Sequence, residues 1–351
     1  MAAIFFDGFD YYTPGITSAL PLSSRWTLTE PGSTSGNITT VTGRYPNSQA
    51  MRVRSGSSGS TALAEIYMGQ NLTNFSCGFS LKMSGTVTAS NIVAFVSSVS
   101  SSVVLALRHN ADLSITLLSG ATEYGTTSAN AIPLDAWVYV EIECSLSNSV
   151  GSTKAYINGA QVINAPSVAI PPVGDPTFGV LRFSTGGSVR YSDIDDLYVS
   201  NTATKLGESR VIVISPSSDT VQKNFQTSPA TGLAGNYDAV NGLTVDNTDW
   251  IYGGTTGWKD IYEVADMPFN PAEIHGIQPI YVARKDDAAD MNVRVNLISG
   301  ASTITGPTNN LLNSTTNWYS YYNPIIYNNP ISGLPWKAND INNLKMGPEI
   351  L

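Results

Sequence analysis

Residues 136–162, AWVYVEIECSLSNSVGSTKAYINGAQV, decide the fold class of this chain. In the first half of the stretch, apolar residues occupy every second position: Val138, Val140, Ile142 and Cys144. This period-two alternation is typical of a β-strand that turns one face to a core. Asn158-Gly159 then supplies the dipeptide that a tight type I′ hairpin turn favours. The stretch therefore predicts antiparallel strands joined by short turns.

The same alternation recurs along most of the 351 residues. Upstream it is found in QAMRVRSG, FSCGFSLKMSG, NIVAFVSS, VVLALRHN and LSITLLSG, and downstream in FGVLRFS and DLYVS. Charged residues make up only 13% of the chain, whereas its 17 Tyr and 6 Trp suit β-strands. Many short antiparallel strands around one core form a sandwich or a jelly roll. The sequence therefore predicts an all-β protein.

The segment SNTATKLGES, residues 200–209, interrupts this pattern with small and polar residues. A chain of this length suggests about two domains, and we place them at residues 1–204 and 205–351. Alternation returns in the second domain, in RVIVIS, WKDIYEVA, GIQPIYVARK, NVRVNLIS and NWYSYYNPIIY. We therefore expect two β-sandwich or jelly-roll domains in tandem.

The C-terminal segment departs from the strand pattern. The spacing of Trp336, Ile341 and Leu344 predicts one short helix near residues 337–344, followed by a last strand. Pro348 falls within that last strand. Because proline cannot donate a hydrogen bond to a neighbouring strand, we expect this strand to lie at a sheet edge.

Composition argues against several functional classes. The net charge is −9 and no block of Lys or Arg occurs, so a nucleic-acid partner is not expected. The start, MAAIFFDGFDYY, lacks the basic segment and the apolar core of a signal peptide. The sequence contains no run of about 20 apolar residues, so it predicts no membrane span. We therefore expect folding in a cytoplasm and no membrane insertion.

The cysteines and histidines do not form a recognisable site. Cys77 and Cys144 share the apolar faces of their strands, so we expect reduced core thiols. His109 and His275 fall in different domains, and a zinc site built on histidine needs more ligands. We expect both histidines to be ordinary surface or core residues.

Glu141 and Glu143 are the one arrangement that suggests hydrolysis of glycans. Glycosidases need two carboxyl groups about 5–9 Å apart, and alternate residues of a strand lie about 7 Å apart on one face. Both glutamates lie opposite the apolar face of their strand. This position favours a solvated outer face over a catalytic pair.

An aromatic run, NWYSYYNPIIY, is a second feature with two interpretations. Alternation places Trp318, Ser320 and Tyr322 on one side of the strand, and Tyr319 and Tyr321 on the other. Flat rings of this kind can stack on sugars, but one side must face a core. The sequence favours a core strand with an aromatic outer face or subunit contact.

The stretch YSDIDDLYVS, residues 191–200, places three carboxylates close together: Asp193, Asp195 and Asp196. Ile194 has the opposite parity to Leu197 and Val199, so the apolar face switches within the stretch. This switch predicts either a β-bulge or a strand that begins at Asp196. Two roles remain open for the aspartates. They cap strand ends, which the pattern favours, or they bind calcium together with Asp7 and Asp10 of the first strand.

Several segments taken together resemble a known family. IFFDGFDYY, GRYPNSQAMRV, residues 136–162 and IDDLYVSN resemble the concanavalin A-like (laminin-G-like) jelly roll of structural proteins from tailed bacteriophages and prophages. KLGESRVIVISPSSD is similar to the connector of that family. WKDIYEVADMP, IHGIQPIYVARKDDAADMNVRVNLISG and NPISGLPWKANDINNLKMG resemble the C-terminal β-domain that follows. Lys337 departs from the pattern, because the family usually has Ser or Thr at this helix start.

The resemblance implies a non-enzymatic structural protein on a tailed-phage particle, as a tail or tail-fibre component or a capsid decoration. It implies location in the virion after folding in the host cytoplasm. The partners implied are other phage structural proteins, further copies of the chain, with a trimer as one form, and host-surface glycans. It implies no cofactor, and no catalytic or metal-binding residue is transferred. The alternative is a virion-associated protein that binds or degrades glycans, a depolymerase, supported by Glu141, Glu143 and the aromatic run.

Overall fold

The computed structural model describes residues 3–14, 22–29, 37–55, 61–85, 88–185, 190–245, 247–314 and 316–351. Its contacts divide the chain into two compact units. Unit 1 consists of residues 3–10, Pro14 and the described residues from Arg25 to Val211. Unit 2 consists of Tyr11–Thr13, residues 22–24 and the described residues from Ile212 to Leu351.

The division between the units at Val211 lies later in the chain than the expected domain boundary after residue 204. Residues 205–211, which we call the strap, hydrogen-bond to the β-structure of unit 1. The backbone N–H of Lys205 donates to Glu143, that of Gly207 to Glu141 and that of Val211 to Asp196. These contacts make the strap part of unit 1.

Unit 1 is built from antiparallel strands that follow the alternating segments. In the described residues they are β1 (Ala3–Asp7), β2 (Thr27–Thr29), β3 (Ile38–Thr42), β4 (Gln49–Arg54), β5 (Ala62–Leu72), β6 (Asn74–Gly85), β7 (Ser90–Val96), β8 (Val103–His109), β9 (Ile115–Ser119), β10 (Thr122–Thr126), β11 (Trp137–Ser145), β12 (Ser147–Ile157), β13 (Ala160–Ile170), β14 (Phe178–Thr185) and β15 (Arg190–Ser200).

These strands form two sheets. The larger sheet has the order β13-β12-β11-β6-β15-β4-β3, with β1 paired to β15. The smaller sheet has the order β10-β9-β8-β7-β14-β5-β2. Phe79 of the larger sheet contacts Phe183 of the smaller at 5.3 Å between ring centroids, and Phe75 contacts Phe178 at 4.7 Å. The core of unit 1 therefore lies between the two sheets, where each fully buried ring contributes about 1.5–3 kcal/mol.

Strand β15 contains the bulge that its sequence predicts. Its pairing with β6 shifts register between Asp195 and Tyr198. Asp196 has a φ of 51°, a left-handed conformation that is uncommon outside glycine. The extra residue explains why Ile194 and Leu197 both reach the core although their parities differ. The alternative, a strand that begins at Asp196, is excluded because β15 begins at Arg190.

Unit 2 is also built from antiparallel strands. In the described residues they are β16 (Pro216–Lys223), β17 (Gln226–Ser228), β18 (Trp250–Tyr252), β19 (Asp260–Val264), β20 (Ile280–Ala283), β21 (Asn292–Ser299), β22 (Ser302–Thr305), β23 (Asn309–Asn310), β24 (Tyr319–Tyr322) and β25 (Leu344–Ile350). The main sheet has the order β16-β19-β25-β21-β22, with β23 paired to β21. Two small sheets, β17-β18 and β20-β24, accompany it. Short 3-10 turns occur at Leu22–Ser24 and Tyr237–Ala239.

The expected short helix is present as α1 (Ala338–Asn342). Ile341 of this helix and Trp336, just before it, are buried in one apolar cluster with Leu297. The Asp340 carboxylate accepts a hydrogen bond from the backbone N–H of Lys337 at 3.0 Å. This bond satisfies a backbone donor at the helix start, so the start does not depend on a Ser or Thr at position 337.

The expected edge position of the last strand is wrong, because β25 lies between β19 and β21. Pro348 pairs with Val295 of β21. The N–H of Ile350 donates to the carbonyl of Trp258, on the opposite side from β21. Residues two apart on a strand present their N–H groups to the same side. The nitrogen of Pro348 therefore also points away from β21, where no bond to β21 is lost.

The structure confirms the fold class expected from the sequence. The chain is all-β, with two β-sandwich units along the sequence. No helix in the described part of the chain has the length and apolar character needed to span a bilayer.

Candidate functional site

The outer face of the larger sheet in unit 1 carries most of the charged residues that the sequence singles out. Register places these side chains in rows across the strands. One row contains Tyr156, Glu141, Gly78 and Tyr198. A second contains Trp137, Lys82, Asp193 and Arg52, and a third contains Ser84, Tyr191 and Arg54. The first row is covered by the strap, whereas cations and rings of the other two rows remain partly exposed.

Glu141 is fully buried beneath the strap. Its carboxylate accepts hydrogen bonds from the Tyr198 hydroxyl at 2.9 Å, the Gly207 N–H at 2.8 Å and the Lys205 ammonium at 3.1 Å. The Tyr198 ring lies against Gly78, where a Cβ atom would collide with the ring. The expectation of a solvated Glu141 is therefore wrong, because the alternation gives the face of the strand but not what covers it.

Glu143 is held by neighbouring strands and by the strap. It accepts hydrogen bonds from Lys154, Tyr156 and the Lys205 N–H. The pKa of Glu143 is lowered because the hydrogen bonds and the charge of Lys154 outweigh the effect of burial. The groups that donate hydrogen bonds to Glu141 and Glu143 lie in β12, in β15 and in the strap. The geometry therefore gives the pair a structural role and does not support it as a glycosidase acid pair.

The aspartates of YSDIDDLYVS have separate environments. Asp193 has no exposed surface and forms a two-pronged ion pair with Arg52, at 2.6 and 2.8 Å. Asp195 accepts the N–H of Arg44 at 2.8 Å. Asp196 accepts the N–H of Val211 at 2.9 Å. These contacts connect β15 to β4, to Arg44 in the loop before β4, and to the strap.

Asp195 and Asp196, which are buried, and Asp10, which is half-buried, form an acidic cluster. Burial, opposed by hydrogen bonds, raises the pKa of Asp10 to about 7 and that of Asp195 to about 6. Burial and the neighbouring Asp195 carboxylate raise the pKa of Asp196 to about 7. Arg44 lowers the pKa of Asp195 and Asp196, and Arg210 lowers that of Asp10, but neither outweighs burial.

The alternative of a calcium site at these aspartates depends on Asp7 and Asp10. Strand β1 does pair with β15, which brings Asp7 opposite Leu197. The Asp7 carboxylate accepts hydrogen bonds from the Phe9 N–H and the Trp26 indole. Asp10 accepts the N–H of Gln49 at 2.7 Å. Among the residues that the structure describes, no group of three His, Cys, Asp or Glu is arranged to hold a metal ion. The geometry therefore favours the structural role of these aspartates.

The histidines and cysteines lie where the sequence suggests. His109 is buried, and burial together with the nearby Arg190 lowers its pKa to about 4. His275 lies 3.5 Å from Glu273 in unit 2. Cys77 and Cys144 are buried free thiols, as expected.

The aromatic run of unit 2 is divided between its two faces. Tyr321 stacks on Tyr281 at 5.0 Å, and both pack against the apolar cluster around Val293. Trp318, on the other face, lies 4.7 Å from the Arg284 guanidinium, and its indole N–H donates to Asn247. One face is thus core, as expected, and the Trp318 ring is engaged by protein groups.

A feature that the sequence did not single out lies on the second and third rows of the larger sheet. We call it the cationic patch, and it consists of Arg52, Arg54, Lys82, Trp137 and Tyr191. The Arg52 and Arg54 guanidiniums lie 4.9 and 5.3 Å from the Tyr191 ring centroid. The Lys82 ammonium lies 4.9 Å from the Trp137 ring. Cations and rings therefore alternate across neighbouring strands.

The patch keeps a positive surplus at its surface. Asp193 lies beneath it without exposed surface and pairs with both Arg52 and Lys82. The side chains of Arg52 and Lys82 retain 30% and 23% exposure, and Arg54 is exposed. Asp135 lies at the rim, bound to Ser84. The three cations of the patch therefore outnumber its two carboxylates, Asp193 and Asp135. The chain as a whole, by contrast, has a net charge of −9.

The sequence contained one signal for this patch. QAMRVRSG places Arg52 and Arg54 two residues apart, which puts both on the polar face of one strand. Lys82 and Tyr191 come from distant segments, and only the strand register brings them together.

No protein-family model and no curated protein matches the chain. Solved structures show similarity at low identity. Cip1, a cellulose-induced protein, is 14% identical over 53% of this chain and 95% of its own, with a TM-score of 0.41. The alginate lyase Aly36B is 11% identical over 56% of this chain and 95% of its own, with a TM-score of 0.40. The alginate lyase vAL-1 from Chlorella virus is 9% identical over 46% and 88%, with a TM-score of 0.35.

This comparison contradicts the prediction of a non-enzymatic structural protein of a phage particle. Two of the three structures are alginate lyases, and none of those named here is a phage virion protein. That prediction is wrong. The likenesses themselves assign neither an activity nor a site to this chain.

Proposed function

We propose that the chain binds an acidic polysaccharide through the cationic patch of unit 1. The observation that carries this proposal is the pair of guanidiniums of β4, Arg52 and Arg54, which both lie within 5.3 Å of the Tyr191 ring centroid, next to Lys82 and Trp137. The patch crosses four neighbouring strands, β11, β6, β15 and β4, and its cations and rings remain partly exposed. An extended polymer can lie across such a face and contact several strands at once.

Charge decides the kind of glycan. The Tyr191 and Trp137 rings are engaged by cations, so they offer less free surface for the stacking that neutral sugars use. Guanidinium groups instead match the planar carboxylate of a uronic acid with two parallel hydrogen bonds. Arg54 is exposed and pairs with no carboxylate in the described structure, which leaves its fork available for such a group. A polyuronate therefore fits the patch better than a neutral glucan.

Affinity electrophoresis of the full chain in gels that contain polyuronate tests this proposal. The expected result is retardation by polyuronate but not by neutral glucan, and weaker retardation as salt rises. Arg54→Gln together with Lys82→Met should weaken binding about tenfold, equivalent to about 1.4 kcal/mol.

Arg108→Gln is the matched control, because Arg108 has a similar side-chain exposure of 29% but pairs with Glu123 on the smaller sheet. Equal retardation of the double variant and the wild type would contradict the proposal. New reducing ends or unsaturated uronate ends, assayed in the same mixtures, show whether binding is accompanied by cleavage.

The location of the protein and its protein partners are separate proposals. They rest on the resemblance of the sequence to phage proteins, and they place such a glycan-active chain in a virion with other phage proteins or with further copies of itself. Its detection at a fixed copy number in purified particles supports the location, and its absence from them contradicts it.

A further inference from the structure

Unit 2 contains a cavity of about 200 Å³ that the proposed function does not use. Most of its wall is apolar, formed by Pro279, Leu297, Ile304, Pro307, Pro324 and Ile326. A water molecule occupies about 30 Å³ of liquid, so the cavity has room for a group of several heavy atoms. The proline rings have a fixed backbone φ, which keeps the wall rigid.

The cavity has one polar side chain with little exposure, that of Asn323. Asn323 is 5% exposed and lines the cavity. Its backbone N–H donates to Pro279 at 3.0 Å, and its backbone carbonyl accepts from the Gln278 side chain at 2.7 Å. These bonds fix the backbone that carries the side-chain amide.

The side-chain oxygen of Asn323 is buried and accepts no hydrogen bond from the residues that the structure describes. An unsatisfied buried acceptor costs about 1–3 kcal/mol, so it calls for an explanation. Gly306 lies opposite, and a Cβ atom there would collide with Nδ2 of Asn323. The glycine therefore leaves space for a side-chain amide whose oxygen has no hydrogen-bond partner among the described residues.

We infer that this cavity, which we call the Asn323 pocket, binds the acetamido group of an N-acetylated sugar. The acetamido N–H satisfies the oxygen of Asn323 after a small rotation of the side chain, and its carbonyl accepts from Nδ2. Its methyl group fills the apolar wall. A carboxylate finds no cation among the lining residues, and a plain hydroxyl sugar finds too few polar partners.

A backbone amide of a peptide has the same donor and acceptor. It is flanked by chain on both sides, however, whereas an acetamido group ends in a methyl that enters a pocket of this size. The inference goes beyond the proposed function, because it concerns a different unit and a different chemical group.

Saturation-transfer NMR with the full chain tests the inference, with methyl N-acetylglucosaminide as the probe. The expected result is a signal strongest at the acetyl methyl, and no signal from methyl glucoside at the same concentration. Asn323→Leu keeps a similar volume but removes the amide, so it should reduce the acetyl signal at least fivefold. Asn310→Leu, at an exposed asparagine outside the pocket, should leave the signal unchanged.

Three results would overturn the inference. The first is an acetyl signal of equal strength in wild type and Asn323→Leu, and the second is no signal in the wild type. The third is equal binding of triglycine, whose amides are flanked by chain on both sides, which would identify a peptide amide as the ligand. Should Asn323→Leu fail to fold, Asn323→Asp keeps the size and removes the Nδ2 donor. Loss of the acetyl signal in that variant supports the inference, and an unchanged signal contradicts it.

Discussion

The Arg52 guanidinium binds Asp193 through both Nε and Nη2, at 2.6 and 2.8 Å, although Asp193 lies without any exposed surface under the cationic patch. Lys82 approaches the same carboxylate at 3.2 Å. The buried carboxylate therefore fixes two of the three cations that would contact a polyanion. The Asp193 carboxylate therefore contributes both to the stability of the sheet and to the charge of its outer surface. One substitution at Asp193 should change stability and polyanion binding in opposite directions.

Asp193→Asn should lower the free energy of unfolding by about 1–3 kcal/mol, because Arg52 and Lys82 lose their charged acceptor. The loss stays below that of a fully buried ion pair, since both cations reach solvent. The same substitution should tighten polyuronate binding, because the patch loses a negative charge. Urea unfolding and affinity electrophoresis measure the two effects.

Glu123→Gln provides the comparison for this prediction. Glu123 pairs with Arg108 at 2.6 Å but is 49% exposed, so its loss should cost about 0–1 kcal/mol. If Asp193→Asn and Glu123→Gln have equal effects on stability, burial of Asp193 does not matter to the ion pair.

Gly78→Ala should destabilise unit 1 by about 1–3 kcal/mol, the usual cost of overpacking. A Cβ at this position would meet the Tyr198 ring, which holds Glu141 through its hydroxyl. The ring cannot move away without breaking that bond or the bond from the Leu206 N–H. Urea or thermal unfolding measures the change.

Gly254→Ala is the control, because a Cβ there meets no atom within 4 Å and its φ lies outside the left-handed region. It should change stability by only a few tenths of a kcal/mol. A Gly78→Ala protein as stable as Gly254→Ala would show that the Tyr198 ring has room to shift.

Much of the fold could be predicted because it follows from local pattern. Alternation gave the strands, and the parity switch between Ile194 and Leu197 indicated the bulge that Asp196 forms. The position of β25 could not be predicted, since Pro348 excludes a hydrogen bond on only one side of the strand. Which side faces a neighbour depends on the register with β21, and sequence pattern does not specify it.

The candidate site was less predictable for the same reason. Alternation placed Glu141 on the outer face, but Gly207, which covers it, lies 66 residues away in sequence. Likewise, Arg52 and Asp193 are 141 residues apart. Alternation along one segment shows which face of its strand a residue occupies. A site on a sheet also depends on which strands, distant in sequence, become neighbours.

Cys77 and Cys144 should be unreactive in the folded protein. Both thiols are buried, and burial raises the pKa of each, so little thiolate is present at neutral pH. A thiol reagent added to the native protein should therefore react slowly, at the rate at which unit 1 opens. In denaturant, titration should give two thiols. Rapid reaction of either cysteine under native conditions would contradict the burial of its strand face.

Because of the acidic cluster, we expect the free energy of unfolding to depend on pH between about 4 and 7. Folding raises the pKa of Asp10 and Asp196 from 3.8 to about 7. The folded state then binds more protons at these two groups than the unfolded state does, so their contribution to stability is greatest below about pH 4 and is lost as pH rises to about 7. Asp10→Asn removes one such group. As pH rises from 5 to 8, the free energy of unfolding of the variant should increase by on the order of 1–3 kcal/mol relative to that of wild type.

His109 acts in the opposite direction and must be separated from the cluster. Its pKa falls on folding from 6.5 to about 4, so its contribution to stability rises with pH across part of the same window. Comparison of Asp10→Asn with wild type at each pH cancels the histidine, which both proteins contain. Asp286→Asn, in an exposed turn of unit 2, serves as the control and should run parallel to wild type. A difference between Asp10→Asn and wild type that stays constant from pH 5 to pH 8 would show that Asp10 is ionised throughout, and that solvent reaches the cluster.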